Sequence, residues 1–454
     1  MAVPVWLAAA QIPDPVAPRT QMGLSLGWHI VIACLGVGMP ALVVFTEWRG
    51  LRTGDPVLKL LARRWARALG VLFAVGAVSG TILSFEMGVL WSGLMAHYGQ
   101  LIGLPFAIEG IAFFMEAIFL GVYLYGWDRL TPRVHLLTGL PIIISGVASA
   151  FFVVSANAWT NSPAGFKISN GRISHVDPWA AMFNPATGPE TTHMILAAFM
   201  VTGFTVASVY AVAMLRGRRD RYHRLGLLVP LVPGCALTPA QIGVGDWAAR
   251  YVATDQPTKL AAMEALFRGR HGAPETLFGY YSGGRVHGAL RIPNGLSLLT
   301  HFDPHAYVAG LDRVPPRLRP PVNITHLAFD SMVTIGFGLL GLGLWLALSW
   351  WRHRDAPTSR LFLAAVGVSG VAAVTAMEAG WVTTEVGRQP WIVYQVLLVS
   401  RAVNPAAGVS TGVWALAGVY VLLTVATVYV LLRLARRPLP LAPQEADVAD
   451  EAVI

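Results

Sequence analysis

The chain alternates long apolar stretches with shorter polar connections, and this pattern predicts its secondary structure. Each apolar stretch has close to the roughly 20 residues that an α-helix needs to cross a bilayer. The sixth stretch is the least regular because three prolines interrupt it. The nine stretches lie at about residues 22–46, 69–95, 104–126, 135–158, 191–215, 225–245, 324–350, 361–382 and 411–433. The pattern therefore predicts an all-α polytopic membrane protein with nine transmembrane helices.

Composition and charge agree with this class of protein. Of the 454 residues, 55% are hydrophobic and only 13% are charged, whereas soluble domains carry about 25% charged residues. The net charge of +9 could indicate a nucleic-acid partner, but Lys and Arg are concentrated in the connections that follow the odd-numbered stretches. The positive-inside rule then predicts that the N-terminus lies outside and the C-terminus inside. We interpret the basic residues as topology signals and expect no nucleic-acid partner.

We interpret residues 1–454 as a single membrane domain with one long outside loop at 246–325. Residues 1–21 lack the basic start of a cleaved signal peptide, and the acidic tail 439–454 is predicted to be disordered. The loop contains one helix signal, because Thr254 or Asp255 can cap a helix whose first turn holds Pro257. The apolar residues that follow at helical spacing are Leu260, Met263, Leu266 and Phe267.

Five side chains that are candidate iron ligands lie near the outer ends of these stretches: His29, Glu109, His193, Met332 and Glu385. Ionisable groups inside a membrane are energetically expensive and indicate function by default, and histidine and methionine are typical axial ligands of haem. The predicted helix ends put all five in the outer third of the membrane, which predicts a shared site. Each has a structural alternative, namely a hydrogen-bonded core histidine, a core methionine or an interfacial side chain that snorkels.

Two carboxylates of the third stretch have a more specific spacing. Glu116 follows Glu109 by seven residues, so both lie on nearly the same helix face with Glu116 about 10 Å deeper. A carboxylate in an apolar helix needs a proton, a metal or a partner. We interpret the stacked pair as a route for protons.

Acidic, basic and aromatic residues are concentrated at 378–391, where the eighth stretch reaches the membrane edge. A structural interpretation is an interfacial aromatic belt with a charge anchor. A functional interpretation is the edge of a cofactor site, in which Arg388 and Arg19 pair with anionic groups such as haem propionates.

Several motifs together resemble subunit I of cytochrome bd quinol oxidase. The run from Gly380 to Trp391, Gly-Trp-Val-Thr-Thr-Glu-Val-Gly-Arg-Gln-Pro-Trp, contains the GRQPW signature of that family beside a membrane-edge glutamate. The other matches, in the family's order along the chain, are Ala107-Ile-Glu-Gly110, Phe113-Phe-Met-Glu116, Gly126-Trp-Asp-Arg-Leu130 and Lys259-Leu-Ala-Ala-Met-Glu264.

The resemblance implies roles for the candidate residues. His193 and Met332 match the axial pair of a low-spin haem b, a pair that raises the potential and leaves no open position. His29, Glu109 and Glu385 match ligand positions of two high-spin haems, a haem b and a haem d or further haem b. The remaining matches are Trp381 between haems, Arg388 at the cofactor edge and Glu116 on the proton route. Lys259 and Glu264 match residues for quinol oxidation in the long loop 246–325, here called the quinol loop. For those two loop residues a solvated helix face is the alternative.

The sequence also departs from the family pattern. The two carboxylates of the third stretch are seven residues apart rather than eight, and Gly88-Val-Leu-Trp91 replaces a Gly-Thr-Asn-Trp stretch. The outside loop is of the short form. These departures predict a divergent branch, and they leave open the haem at the oxygen site and the choice between ubiquinol and menaquinol.

The predicted function is therefore that of a haem-containing subunit of a terminal oxidase in a bacterial cytoplasmic membrane. Such a subunit oxidises quinol at the outer face and reduces oxygen to water with protons from the cytoplasm. The resemblance implies a membrane subunit II and a small single-helix subunit as partners, besides membrane lipid. Two alternatives stay open: a cofactor-free proton-coupled transporter, and a haem b anchor that transfers electrons without oxygen chemistry.

Overall fold

The computed structural model describes residues 16–169, 172–283, 285–404 and 409–436. Within these ranges nine helices of 27 to 38 residues are long and apolar enough to cross a membrane, which confirms the predicted fold. They are α1 (Val16–Thr53), α2 (Pro56–Leu90), α3 (Ser92–Gly126), α4 (Pro132–Asn161), α6 (Thr187–Leu215), α7 (Arg221–Asp255), α10 (Val322–His353), α11 (Arg360–Gly387) and α13 (Val409–Ala435).

The connections contain short elements. Four short helices are α5 (Pro178–Met182), α8 (Pro257–Met263), α9 (Gly295–His301) and α12 (Val399–Ala402). Ten short strands form five antiparallel pairs in the described ranges. The strands are β1 (Lys167–Ser169), β2 (Arg172–Ser174), β3 (Arg270–His271), β4 (Glu275–Leu277), β5 (Tyr280–Ser282), β6 (Arg285–His287), β7 (Leu290–Ile292), β8 (Tyr307–Val308), β9 (Trp391–Val393) and β10 (Leu397–Leu398).

The helices extend beyond the apolar stretches that predict them. Helix α7 continues to Asp255, so the first ten residues of the predicted loop 246–325 are helical. Helix α2 ends at Leu90 and α3 begins at Ser92, although the sequence predicts a single apolar stretch to 95 and a new one from 104. Hydropathy marks the apolar part of a helix, whereas backbone hydrogen bonding continues through polar residues at the membrane edge.

The helix predicted in the loop is confirmed as α8, with two corrections. Pro257 occupies its first turn as predicted, but the N-cap residue is Gln256 rather than Thr254 or Asp255. The reason is that α7 already includes those two residues. Helix α8 also ends at Met263, so Leu266 and Phe267 lie beyond it. The predictions for residues 1–15 and for the tail 439–454 fall outside the described residues.

Helix α6 is central to the bundle, because it packs on α1, α4, α7 and α11. Small residues allow these close contacts, as is usual between membrane helices. A Cβ atom at Gly203 on α6 would lie 2.8 Å from the carbonyl oxygen of Pro230 on α7. The hydroxyl of Thr202 donates to the carbonyl of Cys34 on α1 at 3.0 Å. The backbones of the central helices therefore approach each other closely.

A buried polar cluster joins α1, α3 and α4 at the end of the bundle where α1 finishes. Glu47, Tyr123 and His135 are each at most 2% exposed. The Tyr123 hydroxyl donates to Glu47 Oε2 at 2.5 Å, and His135 Nδ1 lies 2.7 Å from Glu47 Oε1. His135 Nε2 donates to the Tyr123 carbonyl at 2.9 Å. Every polar atom of this glutamate thus has a partner inside the bundle.

Candidate functional site

His29 on α1 is oriented by a serine on α2. Its Nδ1 lies 2.8 Å from Oγ of Ser79. The Ser79 hydroxyl also lies 3.0 Å from the carbonyl oxygen of Gly76 and 3.2 Å from that of Val75, and it can donate its single proton to either. It then accepts from Nδ1–H, which leaves the lone pair of Nε2 available to a metal.

A glycine on a neighbouring helix faces each of the two other proposed axial ligands. A Cβ at Gly245 on α7 would lie 3.4 Å from Cε1 of His193, and a Cβ at Gly380 on α11 would lie 2.8 Å from Sδ of Met332. Helices α6 and α10, which carry His193 and Met332, both pack on α7 and α11. The two side chains therefore point into the same four-helix group at positions where the opposing helix has no side chain.

These features fit a haem. Among the described residues, the buried Nδ1 of His193 has no hydrogen-bond partner. This ring nitrogen is therefore available to a bound group such as haem. His29 has the protonation pattern that an axial ligand requires, and an apolar bundle lines both positions. Residues of this chain could thus hold haem iron through His29, His193 and Met332.

Glu385 lies inside α11, which continues to Gly387. The prediction that it lies just beyond the eighth helix is wrong, because the helix continues past the apolar stretch that ends at 382. Its Oε1 accepts from Asn157 Nδ2 at 2.8 Å and its Oε2 from Arg388 Nη2 at 2.6 Å. Arg388 is 2% exposed, and its Nη1 also donates to Thr160. Both carboxylate oxygens therefore have protein partners.

Glu109 and Glu116 both face α4. The hydroxyl of Ser149 donates to Glu109 Oε1 at 3.0 Å, and a Cβ at Gly146 would lie 3.6 Å from the Glu116 carboxylate. Ser149 precedes Asn157, the partner of Glu385, by eight residues, or about 12 Å along the helix. The contacts of Glu109 and Glu385 thus lie at different levels along α4, and the single layer of ligands expected from the sequence stays a prediction.

Trp381 packs between α11 and α1. A Cβ at Gly27, two residues from His29, would lie 3.4 Å from the Trp381 ring and 3.5 Å from Oε2 of Glu378. The Trp381 ring therefore lies against the Gly27 side of α1, whereas His29 faces α2. The structure also adds Glu378, to which the sequence pattern gave no separate role. Arg19 is exposed on α1.

Lys259 on α8 is buried. It is 2% exposed, and its Nζ donates to Oδ1 of Asn161 at 3.0 Å. Burial lowers the pKa of the Lys259 ammonium below its usual range, and the neighbouring Glu190 carboxylate opposes that shift. The solvated helix face that the sequence left open for Lys259 is therefore wrong.

Glu264 is also buried, at 4% exposed, so the solvated alternative is wrong for it as well. Burial raises the pKa of Glu264 to about 8; the carboxylates of Glu275 and Asp330 raise it further, and a hydrogen bond from the Thr276 amide opposes them. That bond measures 3.1 Å. Glu264 is thus a carboxyl group that changes protonation near neutral pH.

Helix α10 tethers the loop beyond α8. His326, which is 0% exposed, has Nδ1 at 2.6 Å from the Met263 carbonyl oxygen and Nε2 at 3.0 Å from that of Phe278. Asp330 Oδ2 accepts from the Phe278 amide at 2.6 Å. Further along, the Asn323 side chain accepts from the amide of Tyr281 at 2.7 Å and donates to its carbonyl at 2.9 Å.

Two residues that sequence reasoning missed, Asn161 and Glu190, connect these groups. Asn161 ends α4 and is 1% exposed, and its Nδ2 donates to both Glu190 oxygens, at 2.9 and 3.2 Å. Two signals could have identified them. Asn161 follows Asn157 by one helical turn, and Glu190 precedes His193 by three residues.

A second buried glutamate was also missed. Glu86 on α2 is 5% exposed, and neither of its carboxylate oxygens has a hydrogen-bond partner in the part of the chain that the structure describes. The side chains of Ser25 and Gln21 on α1 lie next to it. A buried carboxylate in this environment favours its neutral form.

Comparison with known proteins identifies the family. Residues 17–439 match the family model described as cytochrome bd terminal oxidase subunit I. A Bacillus subtilis (strain 168) protein named putative cytochrome bd menaquinol oxidase subunit I is 36% identical over 428 residues, 92% of this chain and 96% of that protein. A second protein of that strain, named cytochrome bd ubiquinol oxidase subunit 1, is 28% identical over 411 residues, 86% of each.

A solved structure, that of the bd oxidase from Geobacillus thermodenitrificans, superposes with a TM-score of 0.89 at 38% identity, covering 95% of this chain and 100% of that one. The resemblance stated from the motifs is thereby confirmed. Enzymes of this family are haem-containing quinol oxidases that reduce oxygen, and their subunit I works with a subunit II. The chain belongs to the cytochrome bd terminal oxidase subunit I family.

Proposed function

We propose that this subunit oxidises quinol at the outer membrane face and contributes the haem site at which oxygen is reduced to water with protons from the cytoplasm. Haem supplies the redox and oxygen chemistry when bound, whereas the protein supplies position, burial and protons. The observation that carries the proposal is the His29–Ser79 contact of 2.8 Å, because it leaves Nε2 of a half-buried histidine available inside an apolar bundle.

The ligand roles follow from the positions of the side chains. His193 and Met332 would hold the low-spin haem b, each opposite a glycine. His29, Glu109 and Glu385 would serve the high-spin haem b and the haem d or further haem b. Glu385 can act as a ligand while it keeps its contacts with Asn157 and Arg388, since each carboxylate oxygen accepts one hydrogen bond and has a second lone pair.

The cofactor edge would be formed by Trp381, Arg388 and Arg19. Arg388 has a buried Nε without a partner among the described residues, so it has one donor left for a propionate. Arg19 is exposed and would reach an anionic group from the surface. Trp381 would lie between haems, against Gly27 of α1.

Glu109 and Glu116 would take up protons from the inside. Their carboxylates face α4, where Ser149 donates to Glu109 and Gly146 leaves room beside Glu116. A hydroxyl that donates to one carboxylate can pass a proton by exchanging its own. In the predicted topology, with the N-terminus outside, α3 runs inward, so Glu116 would lie on the inner side of Glu109.

Lys259 and Glu264 would bind and deprotonate the quinol. The raised pKa of Glu264 suits a group that accepts a proton near pH 7. We assign menaquinol as the substrate, since the relative named for menaquinol shares 36% identity and the one named for ubiquinol 28%. Subunit II, a small single-helix subunit and lipid of the bacterial cytoplasmic membrane would cover the exposed apolar helix faces.

A reduced-minus-oxidised visible spectrum of the complex purified from membranes tests the proposal. Low-spin bands together with high-spin bands that shift under carbon monoxide are expected. A spectrum without haem bands would instead indicate a proton-coupled transporter, and low-spin bands alone an electron-transfer anchor. Oxygen consumption with menaquinol and with ubiquinol then tests the substrate, and a higher kcat/KM for ubiquinol would refute that assignment.

A further inference from the structure

The side-chain amide of Asn161 contacts both candidate sites at once. Its Oδ1 accepts from Lys259 Nζ at 3.0 Å and from Arg388 Nη1 at 3.1 Å. Its Nδ2 donates to the Glu190 carboxylate. Lys259 belongs to the quinol loop, whereas Arg388 pairs with Glu385 at the cofactor edge. One amide thus links residues that lie 98 and 227 positions away in the sequence.

The charges around this amide fix its orientation. The oxygen faces two cationic groups and the nitrogen faces a carboxylate. A flipped amide would direct its N–H bonds at Lys259 and Arg388 and its oxygen at Glu190, so that no contact would remain favourable. Hydrogen bonds to charged groups contribute more than neutral ones. The amide is therefore held in one orientation.

The backbone of the same residue makes an independent contact with the loop. Gln256, which is 0% exposed, donates from Nε2 to the Asn161 carbonyl at 2.7 Å. This bond does not involve the Asn161 side chain. A substitution at 161 can therefore remove the link to Lys259 and Arg388 while the start of α8 stays attached to α4.

We propose that Asn161 is a positioning residue that couples the quinol site to the cofactor edge. It acts through Lys259, whose ammonium it holds in the buried position, and through Arg388, which it holds against Glu385. The inference rests on the proposed role of Lys259 in quinol binding. Loss of the amide should therefore change quinol kinetics and the haem spectrum together, although Asn161 itself touches neither quinol nor iron.

Asn157 is the matched control. It lies one helical turn earlier, donates to Glu385 at 2.8 Å and lies 3.5 Å from Arg388 Nη1. Among the described residues its side chain makes no hydrogen bond with Lys259, which donates to Asn161 instead. Asn157→Leu should therefore alter the haem spectrum and leave KM for quinol within about twofold of the unaltered enzyme. Asn161→Leu should alter both.

The test uses the complex purified from membranes, with menaquinol as donor and oxygen consumption as the assay. Asn161→Leu is expected to raise KM about tenfold, the factor that corresponds to 1.4 kcal/mol, with a smaller change in kcat. Asn161→Asp combined with Glu190→Gln keeps an oxygen facing both cations and gives the second aspartate oxygen an amide in place of a carboxylate, so it should recover KM to within about threefold. If Asn161→Leu does not accumulate with haem, Asn161→Ser is measured by the same criterion.

A double-mutant cycle with Lys259→Ala decides the mechanism. If Asn161 acts through Lys259, the leucine substitution has little further effect on KM in the Lys259→Ala background. The inference would be overturned if the two substitutions raised KM by independent factors that multiply in the double variant. It would also be overturned if KM were unchanged in Asn161→Leu. Normal quinol kinetics in Lys259→Ala alone would instead remove the proposed quinol role of Lys259, which separates the two failures.

Discussion

The proposed role of Glu264 predicts a defined pH dependence of quinol oxidation. Burial raises its pKa from 4.5 to about 8, and the carboxylates of Glu275 and Asp330 add to that shift. With this pKa, roughly one molecule in ten carries an ionised Glu264 at pH 7. Because the ionised form is the one that can accept a proton from quinol, kcat/KM should rise about tenfold per pH unit below 8 and level off above it.

The substitution Glu264→Gln tests this pH dependence, because glutamine keeps the size of the side chain but cannot accept a proton. Loss of a positioned general base lowers rates about 10²- to 10⁴-fold, so we expect kcat to fall by at least 10²-fold with the haem spectrum unchanged. The rising limb of the pH profile should also disappear. The assay is oxygen consumption with quinol between pH 6 and 9.

Glu275→Gln is the companion variant, because it removes one of the two carboxylates that raise the pKa of Glu264. The rising limb should then move toward lower pH while the maximum rate stays close to that of the unaltered enzyme. A profile of unchanged shape in Glu264→Gln, or a limb that moves to higher pH in Glu275→Gln, would refute the assignment of Glu264 as the proton acceptor.

The raised pKa of Glu264 also makes the stability of the protein depend on pH. Stability should fall as pH rises, whereas activity should rise. The folded state binds the Glu264 proton more tightly than the unfolded state, so the stability that this proton contributes is complete below pH 4.5 and is lost as pH rises through about 8. A shift of this size corresponds to about 5 kcal/mol at 1.36 kcal/mol per unit. Glu264→Gln should flatten this part of the curve of thermal stability against pH.

Three further predictions concern other buried groups. Met332→Leu should remove the low-spin haem signal or lower its potential, and an unchanged spectrum would exclude Met332 as a ligand. Lys259→Ala should impair quinol turnover while the haem content stays normal, and normal kinetics would exclude its proposed role. Glu47→Gln should destabilise the protein by about 3–5 kcal/mol, because it breaks a buried pair, whereas Glu86→Gln should leave the thermal midpoint unchanged or higher. Equal losses of thermal stability in the two glutamine variants would contradict the different surroundings of Glu47 and Glu86.

The membrane helices could be predicted from the sequence because each is a long apolar stretch, and that signal is local. Their ends could not, as Glu385 and Asp255 show. Both lie in polar segments that hydropathy assigns to a loop, yet the backbone hydrogen bonds of α11 and α7 continue through them. The start of α3 also differs, because the apolar stretch predicts it near residue 104 and the helix begins at Ser92.

The candidate ligands could be listed from residue type and motif, but their partners could not. Lys259 is surrounded in sequence by residues typical of an amphipathic surface helix. Its burial depends on Asn161 and Glu190, which belong to other helices and lie far away along the chain. Likewise Ser79 is fifty positions from His29. Contacts of this kind arise from helix packing, which no local pattern encodes.

The hydrogen bonds between α10 and the loop that follows α8 have a consequence for how quinol would reach the proposed site. Met263, Phe278 and Tyr281 are each fastened to the bundle by buried or half-buried hydrogen bonds. Detachment of the loop from the bundle would break several such hydrogen bonds together. Each broken bond costs about 1 kcal/mol of free energy, and more where a charged group is left without a partner. The loop is therefore expected to stay attached to α10 during turnover, so that quinol enters and leaves without its detachment.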